Sequence, residues 1–278
     1  MSEHRIVAVA AGRGGSAKTT LTFAIGDVLH RLRGVGDVAL LDLDPQANLT
    51  SYAGQDPVDD PLGAPNVTVQ GLTLYRGGRG LALADVRQRA AHVERTLAEG
   101  SSERVVIADL PPALHDPSHR VLFDRPDVFW MGAIRAEPGS FQSLNELVAM
   151  CARAEAPYVL VPTFHLNNRS VIAATTMALR SQHAGHVSRT VLPDDSKAKE
   201  CVLAGLPVTM FAPRAKASQA VVALIDEVFG EGEPEPEAAD AAPGETTTRP
   251  ASRSRKTAAQ KTAPPKAASS GRTPPGRA

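Results

Sequence analysis

The chain has 278 residues, 42% of them hydrophobic, with 30 Lys+Arg against 30 Asp+Glu. That length supports one sizeable core of roughly 200–250 residues plus a remainder, and the even charge excludes a uniformly basic or acidic surface. Two cysteines, Cys151 and Cys201, with no CxxC pair argue against a disulfide framework or zinc site and for a reducing cytosol, and no apolar stretch approaches a membrane span or a signal segment.

In chain order, 6–10 reads as a short buried strand, followed by a glycine-rich turn and a helix over about 18–33. A second apolar strand over 38–41 ends at Asp42. Residues 54–66, rich in Pro, Gly and Asp, read as a loop; 67–75 reads as a strand and 84–98 as a helix. The buried strand 105–108 ends at Asp109. Further strands fall at 128–134, 158–161, 189–192 and 208–211, with helices near 140–155, 169–183, 196–204 and 216–229. Short apolar strands alternating with helices imply an α/β fold, a mostly parallel twisted sheet with helices on both faces.

The chain changes character after about Gly230. Residues 231–278 hold no aromatic residue and no Val, Leu, Ile or Met. The six acids of this tail lie between Glu231 and Glu245, and its eight bases between Arg249 and Arg277. Such a segment buries too little surface to offset its ordering entropy, so the expected organisation is a nucleotide-binding domain over 1–230 and a disordered tail over 231–278. The basic half is suited to lie along a nucleic-acid backbone as a flexible polyelectrolyte.

The strongest chemical signal is Gly12-Arg13-Gly14-Gly15-Ser16-Ala17-Lys18-Thr19-Thr20, set between a strand and a helix. It is nearly GxxxxGK[ST], with Ala17 where the last glycine stands. Glycines let such a loop aim successive N–H groups at phosphate, and the helix N-terminus adds partial positive charge. Lys18 reaches the terminal phosphates and the Thr19 hydroxyl holds Mg2+. Ala17 is compatible with the loop if its φ is negative. Two acidic strand ends, Asp42-Leu43-Asp44 and Asp109-Leu110-Pro111-Pro112, fall at the same sheet edge as the loop. Phosphoryl transfer to water needs a metal and a group that orients the water, and carboxylates there supply both needs.

These motifs resemble the ParA/MinD family of P-loop ATPases, which carry a deviant Walker A loop. Residues 13–19 resemble KGGxGK[ST], residues 42–48 resemble DLDPQGN, and Asp109-Leu-Pro-Pro resembles D-x-PP. More weakly, Thr190–Pro193 resembles the family's IP element and 200–207 its EAxxxGxP stretch, so the likeness covers about 4–229. The resemblance implies an ATPase using ATP and Mg2+. Lys18 would bind phosphate, Thr19, Asp42 and Asp109 would serve the metal, and Asp44 would position the attacking water. Arg13 stands where the family's lysine crosses to the partner's ATP, and it keeps the cation and adds a fork-shaped donor. Thr163, Asn167 and Pro193 lie where relatives bind the base.

The partition branch of the family also implies an ATP-dependent homodimer, binding to nonspecific DNA, a ParB-like stimulating partner and a cytoplasmic, nucleoid-associated location. Arg189, Arg214 and Lys216 are the candidate DNA contacts. The alternatives are a nucleotide-binding scaffold with little ATPase activity, which Ala17 and Arg13 favour, and a positioning ATPase for a protein complex or organelle. A membrane-positioning relative would end in a helix rich in large apolar residues, which this tail lacks. An iron–sulfur relative needs cysteines beside the phosphate motifs, and Cys151 and Cys201 adjoin none.

Overall fold

The structure, a computed structural model, describes residues 4–135, 140–163 and 169–230. Asn167 and the tail beyond Gly230 lie outside them.

Among the described residues, seven strands form one sheet in the order β3-β4-β2-β5-β1-β6-β7. They are β1 (Ile6–Ala10), β2 (Val38–Asp42), β3 (Val67–Val69), β4 (Leu72–Tyr75), β5 (Val105–Asp109), β6 (Val128–Arg135) and β7 (Tyr158–Thr163). All neighbours pair in parallel except β3 with β4. Every residue of β1, β2 and β5 is buried, as expected of central strands covered on both faces.

Alternate side chains of these strands feed two cores. Val7, Val9, Leu40 and Ile107 pack on one face with α1 (Lys18–Asp27) and α9 (Lys216–Phe229). Ile6, Ala8, Leu41, Val106 and Trp130 pack on the other with α3 (Val86–Ala98) and α4 (Pro117–Phe123). Asp85 and Gln88 close a reciprocal cap at the start of α3, each side chain accepting from the other's backbone N–H at 2.9 Å. The remaining helices are α2 (Asn48–Tyr52), α5 (Ser140–Ala154), α6 (Arg169–Gln182), α7 (Lys197–Leu203) and α8 (Val208–Phe211).

Several elements differ from the sequence expectation. The expected strand 67–75 is a hairpin, because Gln70 and Gly71 take φ of 50° and 82° and turn the chain in two residues. The expected strand 189–192 reduces to one bridge between Leu192 and Thr163. The Glu227 carboxylate takes the N–H groups of Arg189 and Thr190 at 2.6 and 2.9 Å, leaving them no ladder to join. The expected strand 208–211 is the helix α8, entered from Pro207. An apolar run of four residues carries no period that separates strand from helix. The helix expected over 18–33 is α-helical only to Asp27 and continues as a π-helical segment, Val28–Leu32. There Arg31 donates to Asp27 at 2.8 and 2.7 Å, and Thr209 of α8 donates to the same carboxylate.

Candidate functional site

The glycine-rich loop leaves the carboxyl end of β1 and delivers Lys18 and Thr19 to the first turn of α1. Gly15 has φ 76° and Ala17 φ 62°. Ala17 therefore sits in the left-handed region, opposite to the negative φ under which the sequence reading accommodates it. Its methyl group costs about 1–2 kcal/mol there. Ala47, which ends the Asp-Leu-Asp-Pro-Gln segment, repeats the pattern with φ 52°.

Asp109 pairs in register with Val9 on one side and Asp42 on the other. Its carboxylate accepts Lys18 Nζ at 2.6 Å, Thr19 Oγ1 at 2.8 Å and Thr22 Oγ1 at 3.2 Å. Sequence reasoning misses Thr22, although its place one turn after Lys18 puts it on the same helix face.

Asp42 is wholly buried. It accepts the N–H and hydroxyl of Thr50 at 2.8 Å each, and the N–H of Asp44 at 3.2 Å. Gly77 N donates to the Thr50 hydroxyl at 2.8 Å, and a Cβ on Gly77 would meet the Asp42 carboxyl carbon at 2.7 Å. Asp42 thus anchors α2 as well as facing Asp109. Burial, then the charge of Asp109, raises its pKa to about 7. Asp44 is also raised, first by burial. Its carboxylate accepts Gln46 N at 2.9 Å.

The loop, Asp44, Asn48, Tyr52 and Pro112 enclose a cleft of ≈ 150 Å³. Arg13 is exposed on its rim. A second cleft of ≈ 320 Å³ adjoins it, lined by Thr163, Leu192, Pro193, Asp194, Ala198 and Lys199 among others. The Thr163 hydroxyl is buried there with no hydrogen-bond partner among the described residues. Thr163 and Pro193 thus line one cleft with Gly15 and Ala17 of the glycine-rich loop.

The oxygen donors Thr19, Asp42 and Asp109, with three carboxylates facing the single ammonium of Lys18, fit a hard divalent cation. Among the described residues no three His, Cys, Asp or Glu side chains form a ready-made metal cage.

The candidate DNA contacts do not form one patch. Arg189 is exposed but lies 4.0 Å from Glu227, near the end of α9. Arg214 and Lys216 are exposed at the start of that helix, about 16 Å away along its axis. Among the described residues no helix is long and apolar enough to cross a membrane. Both cysteines are free and buried, and burial pushes the Cys151 thiol up to about 12.

The family model of the CobQ/CobB/MinD/ParA nucleotide-binding domain matches residues 7–208. The chain belongs to this family. Among its ParA/MinD-type relatives is a ParA family protein of Chlamydia muridarum, 27% identical over 260 residues, spanning 81% of this chain and 97% of that protein. The sporulation initiation inhibitor protein Soj of Bacillus subtilis is 22% identical over 263 residues, spanning 82% and 99%. The fold matches MinD of Pyrococcus horikoshii, solved with Mg-ADP, at TM-score 0.66 and 20% identity over 81% of this chain and 96% of that one. It also matches a single-substitution variant of Cyanothece McdA, solved with ATP, at TM-score 0.66 and 17% identity over 84% and 99%.

Proposed function

We propose that the chain is a Mg2+-dependent ATPase of the partition type. Its ATP-bound form dimerises face to face, binds DNA without sequence preference and positions a cargo, until a ParB-like partner stimulates hydrolysis. The observation that carries the reading is the convergence of Lys18, Thr19 and Thr22 on Asp109, beside buried Asp42 and Asp44. Residues 1–230 form the ATPase domain in this reading and 231–278 a tail that adds DNA affinity.

Mg2+, when bound by Thr19, Asp42 and Asp109, would supply neutralisation of the phosphate charge. The chain's own groups do the rest. Loop N–H groups and the start of α1 hold the phosphates. Lys18, now paired with Asp109, would turn to a competing phosphate anion, leaving Asp109 and Thr19 able to hold the cation. Asp44, its second oxygen free of Gln46, orients the attacking water from the cleft wall. Arg13, exposed on the rim, reaches the facing subunit's nucleotide. Thr163 and Pro193 receive the base, together with Asn167. A slow nucleotide switch is the second reading, favoured by the strained φ of Ala17.

The test is dimer mass and DNA co-sedimentation with ATP, with ADP and with no nucleotide, for the wild type and Arg13→Ala. ATP alone should drive dimers onto DNA, and Arg13→Ala should abolish both. A protein that stays monomeric and off DNA with ATP refutes the partition reading.

A further inference from the structure

The two clefts share few residues. Gly15, Ala17, Thr20 and Tyr52 line both. A nucleoside triphosphate held by the loop, with its base in the second cleft, must pass its sugar across this shared wall. Among the described residues shared by the two clefts, only Tyr52 has a large side chain. The residue is half-buried, and aromatic residues make up just 4% of the chain, so a ring at this point is not a matter of general composition. Among the described residues the buried Thr163 hydroxyl in the second cleft has no hydrogen-bond partner, which is compatible with a polar ligand there.

The placement of Tyr52 is built. It is the last residue of α2, whose Thr50 is tied to Asp42 by two hydrogen bonds of 2.8 Å. Asp42 is itself in register with Asp109. One short helix therefore connects the acidic strand ends to the wall between the clefts.

We propose that Tyr52 is the residue that positions the nucleoside, its ring forming the surface on which the ribose and the adjoining edge of the base lie. This rests on the nucleotide reading of the site. Contact with an aromatic face contributes to binding whichever phosphates are present. Tyr52 then acts on ATP and ADP alike and not on the phosphate chain itself.

The experiment is calorimetric titration of the full chain with Mg-ATP, Mg-ADP and inorganic triphosphate, for wild type, Tyr52→Phe, Tyr52→Ala and Tyr52→Leu. The leucine variant keeps apolar bulk against the core if alanine fails to fold. Losing the ring should weaken ATP and ADP by about tenfold each. Triphosphate binding should stay at the wild-type value, and Tyr52→Phe should bind all three normally. Wild-type ATP affinity in the leucine or alanine variant overturns the proposal. So does an equal loss for triphosphate, which would make Tyr52 a prop for the phosphate loop. A wild-type chain that binds triphosphate but gains nothing from the nucleoside refutes the role of Tyr52, whereas one that binds none of the three refutes the nucleotide reading itself.

Discussion

Two alanines at the site hold backbone conformations that glycine adopts freely. Ala17 and Ala47 have φ of 62° and 52°. Ala17→Gly should stabilise the protein by about 1 kcal/mol, since relief of the left-handed strain exceeds the added entropy of the unfolded chain. Urea unfolding checks it, and a lower midpoint would show that the loop is not strained there. Asp42 carries a different tension. Its pKa is raised to about 7, first by burial and then by Asp109. The ionised form is therefore disfavoured in the fold. The stability tied to this group is fully present below the unfolded value near ~3.9 and is lost as pH rises toward 7. Asp42→Asn has no charge to bury. Its stability relative to wild type should improve by about 3 kcal/mol between pH 4 and pH 7, then level off. Parallel unfolding curves across that range would contradict the placement of Asp42 as an ionisable, desolvated group.

At the scale of elements, α4 follows Asp109 and sets His119 against β6. The imidazole is fully buried, stacks with Trp130 at 6.1 Å and has no partner for either nitrogen among the described residues. Burial, then the charge of Lys18, depresses its pKa to about 3. A depressed histidine contributes stability above its unfolded value of ~6.5 and loses it as pH falls through that value toward 3. His119→Phe keeps the stacking ring without the proton. Its advantage over wild type should widen by about 1–2 kcal/mol from pH 7.5 to pH 5, read by urea unfolding. A constant difference would show that His119 protonates freely in the fold. α4 starts at Asp116-Pro117, an N-cap and a proline at the first helical position, with Asp116 accepting Ser118 N at 2.8 Å. The sequence reading assigns no helix there, because seven residues show little period. The two misassigned strands have the same cause. A short apolar run takes its form from what lies next to it, Pro207 in one case and Glu227 in the other.

At the scale of the molecule, the strand order puts β1 between β5 and β6, so the glycine-rich loop emerges next to the Asp109 strand end and one strand away from that of Asp42. Ligands bind beyond that edge in open α/β sheets. The DNA reading now rests on Arg214 and Lys216 rather than on Arg189, which Glu227 offsets. Replacing both with alanine should weaken ATP-dependent binding equally for unrelated duplexes. The slope of log affinity against log salt should flatten by about 1.8. Anisotropy titrations with labelled duplex measure this, and an unchanged slope would place the interface elsewhere.

The sequence by itself determined the family, the parallel α/β architecture and the three motifs that meet at the candidate site. Those features follow from local pattern, namely glycine and lysine spacing, apolar runs and acids at strand ends. Tertiary structure alone decided what the groups meet. It placed Thr22 on Asp109 and Thr50 on Asp42, turned Ala17 to positive φ, gave Arg189 to Glu227 and stood Tyr52 between the clefts. Contacts between residues far apart in the chain depend on how helices pack on the sheet, and no short-range pattern encodes that packing.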